Sequence, residues 1–220
     1  MMDSTDFLTL LRRHRLVAVV RGDDAEAALR TVHTLAEEGV ALIEVTLTTP
    51  DACGVLARAA GALGPATVLG AGSVVTAEDA RRARDAGAGW AVTPALGAGV
   101  SEAVALGMPV LAGALTPSET VAALEAGATA VKLFPASVGG PGYLRALRAP
   151  LPHVPFVPVG GVDAEAARAY LAAGAVAVGV GGPLVGDAAS GGDQAALRER
   201  ARAFRRVCDT DAAADGGGAA

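Results

Sequence analysis

Lysine is nearly missing from this chain: of its 18 basic residues one, Lys132, is a lysine and the other seventeen are arginines. Charge that only has to meet solvent is evidently an arginine task here, so the single amine asks for a reason of its own. Aromatic residues are scarce as well, at 3%, which leaves few rings to stack on bases. The net charge of -5 and the pI near 5.2 offer no basic face to a phosphate backbone. Nucleic acid is therefore not an expected partner. A long apolar run is also lacking. The most apolar late stretch, Leu171 to Val185, is rich in Gly and Ala, short and weakly hydrophobic for a bilayer span, and reads as a buried strand with its loops. The first residues, MMDSTDFLTLLRRHR, mix acids with a basic cluster and lack the uninterrupted apolar core of a secretory signal. They read as a short amphipathic helix, and the expected location is the cytoplasm, with no membrane partner.

Cysteine and histidine are equally sparse. Cys53 and Cys208 lie far apart and outside any C-x-x-C or His/Cys cluster, so both read as plain thiols. His14, His33 and His153 are scattered over two helical stretches and a Pro-rich loop, which suits surface or capping roles better than a ligand set. No metal and no cofactor are implied.

What the chain does have is a recurring unit. A helical run rich in Ala, Leu, Arg and Glu ends in a Gly, and a short Val-rich apolar run follows, as in EEGVALIEVT, DAGAGWAVT, ALGMPVLAG, EAGATAVKLF and AAGAVAVGV. Gly39, Gly87, Gly107, Gly127 and Gly174 occupy the position where a left-handed helix C-cap wants glycine. Their spacing is one or two multiples of a βα unit with short loops. Filling the gaps predicts eight strands: Leu16–Val20, Ala41–Thr46, Thr67–Ala71, Trp90–Thr93, Pro109–Ala112, Thr129–Phe134, Pro155–Val159 and Ala175–Gly179. Eight alternating units in one α/β domain of 220 residues point to a closed parallel (β/α)₈ TIM barrel with a short N-terminal helix. A doubly wound open sheet would want G-x-G-x-x-G after its first strand, and Arg21-Gly22-Asp23-Asp24 does not match. The domain is expected to span residues 1–208, and the remainder, DTDAAADGGGAA at 209–220, has too little apolar content to pack and reads as a disordered tail.

Barrel enzymes work at the C-terminal ends of their strands, so polar residues there carry the argument. In Ala130-Val131-Lys132-Leu133-Phe134 the alternation of a strand places Ala130, Lys132 and Phe134 on one face. If the bulky pair packs against helices, Lys132 points into the barrel. A desolvated amine has its pKa pushed down and is the usual way to make a Schiff-base nucleophile. The plain alternative is a lysine that snorkels out of the barrel mouth or serves a structural ion pair.

Glu44 repeats the pattern on the second strand, sharing a face with Leu42 and Thr46. An interior carboxylate is costly alone, so Glu44 and Lys132 are expected to approach each other directly or through water. Burial and an ionised Glu44 push the lysine in opposite directions, and spacing does not decide the sign. Glu44 suits general acid/base catalysis, and a purely structural ion pair is the competing reading. Arg21 ends the first strand on the face of Val17 and Val19, suited either to a substrate anion or to a salt bridge with a loop. Gly160-Gly161 and Gly181-Gly182 follow the seventh and eighth strands, where bare N–H groups beside a helix start make a phosphate cradle or simply a tight turn.

Taken together, Glu44-Val-Thr-Leu, Gly70-Ala-Gly-Ser73, Thr93-Pro94, Lys132-Leu-Phe-Pro135-Ala136 and Pro158-Val-Gly-Gly161 resemble the 2-dehydro-3-deoxy-6-phosphogluconate aldolase family. That family includes enzymes for the galactonate epimer and for 4-hydroxy-2-oxoglutarate. The resemblance runs in order from Arg21 to Val185. It implies a metal-free, homotrimeric class I aldolase that releases pyruvate and glyceraldehyde 3-phosphate from a small, phosphorylated 2-oxo acid. By it, Lys132 is the Schiff-base residue, Glu44 the acid/base, and Ser73 stands near the pyruvate carboxylate where Thr is usual. Pro94 and Phe134 line the pyruvate pocket, and Gly160, Gly161, Gly181 and Gly182 hold the phosphate.

The chain also departs from the pattern. Thr48, counted among the substrate-contacting positions, stands where many members carry the arginine that grips the pyruvyl carboxylate, and Arg21 is expected to replace that charge from the first strand. Val159 stands where a Thr is common and Pro183 where a Ser often donates to phosphate. Each lost donor to a charged group is worth roughly 1.5–3 kcal/mol, which brings an unphosphorylated 2-oxo acid into the range of substrates. A phosphosugar isomerase or epimerase on the same barrel, and a ligand-binding barrel without turnover, are the competing functions.

Overall fold

The computed structural model describes residues 2–215. Among them are eight strands: β1 (Leu16–Val20), β2 (Leu42–Thr46), β3 (Val68–Gly72), β4 (Trp90–Val92), β5 (Val110–Ala114), β6 (Ala130–Leu133), β7 (Phe156–Pro158) and β8 (Val178–Val180). All pair in parallel, in the order β7-β6-β5-β4-β3-β2-β1-β8. The ends meet through the Val159–Gly179 bridge and a Val176 N–H donated to the Phe156 carbonyl at 3.0 Å, so the sheet closes into a (β/α)₈ barrel. The helices are α1 (Ser4–His14), α2 (Ala25–Glu37), α3 (Ala52–Ala62), α4 (Ala77–Asp85), α5 (Ala98–Ala105), α6 (Pro117–Glu125), α7 (Gly140–Arg148), α8 (Ala164–Ala172), α9 (Gly182–Val185) and α10 (Gln194–Asp215).

Local chemistry explains where these helices begin and end. Asp24 and Asp163 cap α2 and α8 by accepting backbone N–H groups, and Thr76 with Asp79 and Thr116 with Glu119 form reciprocal capping boxes on α4 and α6, satisfying donors a helix start would otherwise orphan. The five helix-ending glycines all have positive φ, between 71° and 93°, as a left-handed cap requires.

The period of two along each strand divides the apolar residues between two cores. Ala18, Val20, Ile43, Val45, Val131 and Leu133 face outward into the shell beneath the helices. Val17, Leu42, Trp90, Leu111, Ala130 and Val157 face inward, joined by Phe7 and Leu11 of α1. Helix α1 thus plugs the N-terminal end of the barrel: Phe7 and Leu11 are fully buried, and the Phe7 ring lies 4.9 Å from that of Trp90. Burying each such side chain is worth about 1.5–3 kcal/mol.

Helix α10 is assigned through Asp215, and so takes in residues 209–215 of the stretch read from composition as a tail. The rest of that expected tail, 216–220, lies outside the described residues. The loop after β8 contains the one-turn helix α9, too short for a periodicity signal.

Candidate active site

The C-terminal ends of the strands surround a cavity of about 240 Å³. On β6, Ala130 sits in the interior core while Val131 and Leu133 sit in the outer shell, so the alternation turns Lys132 inward, where it is 6% exposed. Its Nζ lies 4.8 Å from the centroid of the Phe134 ring, a favourable position for a cation. On β2, Leu42 is interior and Ile43 and Val45 are in the shell, which turns Glu44 inward at 1% exposure. Both residues line the cavity together with Arg21, Ser73, Pro94, Phe134, Gly160, Gly161, Gly181 and Gly182.

Of the two approaches expected for Glu44 and Lys132, direct or through water, the direct one is not made. No ion pair joins them among the described residues, and Glu44 Oε2 is buried without a hydrogen-bond partner. They come from β2 and β6, four strands apart around the barrel, and the cavity lies between. The electrostatic sign left open by spacing is now decided. Burial pushes the Lys132 amine below its ordinary range, against the raising influence of Glu44 and with a further lowering push from Arg21. Burial likewise raises the Glu44 carboxyl, against Lys132 and Arg21. Desolvation penalises each charged form more than the opposite charge across the cavity repays, so the pair is biased toward free amine and neutral acid.

Arg21 lines the same cavity and, among the described residues, makes no hydrogen bond or ion pair. The loop salt bridge considered from the sequence is not formed. Ser73 directly follows β3 with φ 59°, a left-handed conformation uncommon outside glycine and frequent at functional sites. Pro94 follows Thr93, whose hydroxyl accepts the Gly113 N–H at 3.2 Å. A Cβ on Gly113 would lie 2.8 Å from the Ala95 nitrogen and closer still to the Pro94 carbonyl, so the bare glycine on β5 lets the Pro94 loop fold against it. Gly160 and Gly161 have φ of 98° and 74°, and Gly181 caps α9, its carbonyl accepting from Leu184 at 2.9 Å and Val185 at 2.8 Å.

Thr48 is placed apart from the other expected positions. It does not line the cavity; it is exposed in the turn after β2, with its hydroxyl 3.1 Å from that of Thr46, because the chain bends away there into α3. Val159 and Pro183, flagged as lost donors, do line the cavity, as do Val19, Val185 and Gly186. Val19 was legible as the inward neighbour of Arg21; Val185 and Gly186 enter through α9, which left no sequence signal. Among the described residues no group of His, Cys, Asp or Glu is placed to hold a metal ion, and no helix is long and apolar enough to cross a membrane.

The family model for KDPG and KHG aldolase matches residues 8–198. A protein of Rhizobium meliloti named probable 2-dehydro-3-deoxy-6-phosphogalactonate aldolase is 36% identical, over 88% of this chain and 91% of its own length. The 2-dehydro-3-deoxy-phosphogluconate aldolase of Haemophilus influenzae is 34% identical, over 74% of this chain and 77% of its own. Among solved structures, one titled native KDPGal superimposes with a TM-score of 0.84 at 31% identity, covering 90% of this chain and 96% of that one. KDPG aldolase from Legionella pneumophila, solved with pyruvate captured as a covalent carbinolamine, gives 0.77 at 26% identity, covering 92% of this chain and 96% of that one. The chain belongs to the KDPG and KHG aldolase family and is a class I aldolase, a carbon–carbon lyase.

Proposed function

We propose that this aldolase cleaves 2-dehydro-3-deoxy-6-phosphogluconate, or a close relative, through a Schiff base on Lys132 with Glu44 as general acid and base. The observation that carries the reading is a nearly buried, unpaired amine held below its ordinary pKa in the same cavity as a buried, undonated carboxyl. The neutral amine attacks the C2 ketone of the 2-oxo acid, giving a carbinolamine. The neutral Glu44 carboxyl supplies the proton with which the hydroxyl leaves as water, and the protonated imine remains. The Glu44 carboxylate then accepts the C4 hydroxyl proton, the C3–C4 bond breaks with its electrons drawn into the imine, and the aldehyde departs. Glu44 returns the proton to C3 of the enamine, and water releases pyruvate from Lys132.

Arg21 supplies the positive charge for the pyruvyl carboxylate, assisted by Ser73, while Pro94 and Phe134 wall the pyruvyl methylene. Gly160, Gly161, Gly181 and Gly182 present backbone N–H groups to the distal phosphate. The names of the relatives cover the gluconate and galactonate epimers as well as KHG, and assays of the three candidate substrates in parallel choose among them. A cytoplasmic homotrimer belongs to the same reading, and light scattering of the purified protein gives its mass. The decisive test exploits the single lysine: incubate the protein with pyruvate, reduce with borohydride and weigh it intact. An adduct mapping to Lys132 is expected; an unmodified mass overturns the mechanism.

A further inference from the structure

We propose that Gly72 is a positioning residue for Glu44: the missing side chain makes the notch in which the Glu44 carboxyl is seated. The inference rests on the acid/base role given to Glu44 above. Val68, Gly70 and Gly72 share the inward face of β3, since Leu69 and Ala71 belong to the outer shell. Gly70 makes room below, where a Cβ would lie 2.7 Å from Trp90 Cζ2 and closer still to the rest of the indole. Gly72 makes room above: a Cβ there would lie 2.6 Å from Glu44 Cγ and closer still to Cδ and Oε1. The backbone gives no other reason for a glycine, because Gly72 is not among the residues with positive φ; any L residue could adopt its conformation.

The notch matters because hydrogen bonds do not aim this carboxyl. Among the described residues no side chain or backbone N–H donates to Glu44, and Oε2 is buried without a partner. An acid/base group is normally held by donors that also fix its charge state. Here shape holds it instead, and a donor-free seat lets the carboxyl exchange its proton with substrate without a competing bond. Filling the notch swings the carboxyl out of line with the reacting atoms, and misplacement of about 1 Å can cost 100-fold.

The test is a cycle of Gly72→Ala and Glu44→Asp. Gly72→Ala is expected to lower kcat about 10- to 100-fold, to move the pH profile of kcat, and to slow formation of the pyruvate adduct on Lys132 while leaving it fully trappable by borohydride after incubation to equilibrium. Because aspartate withdraws the clashing atoms by one methylene, Gly72→Ala is expected to cost far less in the Glu44→Asp background than alone. The proposal is overturned if Gly72→Ala leaves kcat and its pH profile unchanged, or if it lowers activity only in step with the equilibrium trappable fraction and additively with Glu44→Asp. Should Gly72→Ala fail to fold, adding Glu44→Ala is expected to restore folding by emptying the occupied space; failure of that double variant also overturns it. Glu44→Gln separates the two readings: if it keeps full turnover, the acid/base assignment fails whatever Gly72 does.

Discussion

The two ends of this barrel handle buried groups in opposite ways. At the N-terminal end the interior cluster is apolar, Phe7 and Leu11 of α1 packing with Val17, Leu42 and Trp90, and the one buried charge beside it, Arg15, caps α1 at the rim. At the C-terminal end the same strands enclose a lysine and a glutamate, both nearly buried and neither paired. Such groups cost free energy in proportion to their desolvation, a cost that apolar packing elsewhere in the barrel has to offset.

The largest effect that would break this division comes from the plug. Phe7→Ala removes a fully buried ring from an interior that cannot collapse around it, and is expected to cost about 3–5 kcal/mol of unfolding free energy. Turnover per folded molecule should not change, because no atom of α1 lines the cavity. Denaturant melts paired with kcat corrected for the trappable Lys132 fraction check this; a loss of kcat at full folding would show that the two ends are not independent.

Arg21→Ala acts at the other end with the reverse signature. With Arg21 in its proposed role as carboxylate clamp, its loss is expected to cost roughly 1.5–3 kcal/mol, or about 10- to 150-fold, in KM for the 2-oxo acid while the melting temperature stays put. An unchanged KM and rate would remove Arg21 from the site and leave the pyruvyl carboxylate without its clamp.

The sequence reading reached the two ends unequally. Strand alternation alone put Lys132 and Glu44 inside and Val131, Leu133, Ile43 and Val45 outside, because a period of two leaves no freedom once one face is known to be apolar. The helix ends were legible at Gly39, Gly87, Gly107, Gly127 and Gly174, whose positive φ follows from local chemistry. What escaped depends on neighbours distant in sequence. The notch at Gly72 and the room at Gly70 exist only against Glu44 and Trp90 on adjoining strands. The sign of the Lys132 shift depends on how completely the barrel dehydrates it, and the cavity between β2 and β6 explains why Glu44 and Lys132 face each other across a space rather than in direct contact.

Two glutamates sharpen the comparison by titrating in opposite senses. Glu44 receives no donor and burial raises its carboxyl, so folding prefers its neutral form. The stability it allows is whole below the ordinary carboxylate range and is lost as pH rises through its raised folded value. Glu44→Gln should therefore match the parent at low pH and exceed it at neutral pH in urea melts. A variant less stable than the parent at neutral pH would mean that the charged form is the one the fold favours.

Glu38 follows α2 at the N-terminal side and is held entirely by donors: Arg198 at 2.9 Å, and Arg202 at 2.7 and 3.0 Å, both reaching over from α10. These guanidiniums lower its carboxyl to about 2. Folding here prefers the charged form, so the contribution is present above the ordinary carboxylate value and lost as pH falls toward about 2. Glu38→Gln should be slightly less stable than the parent at neutral pH, with the gap closing in acid. The effect is the smallest of the set because these side chains are partly exposed and salt screens them; melts at low and high salt should show the gap shrinking. If the gap is instead insensitive to both acid and salt, α10 is fastened to α2 by packing alone, and the arginine pairs contribute nothing to holding the last helix on the barrel.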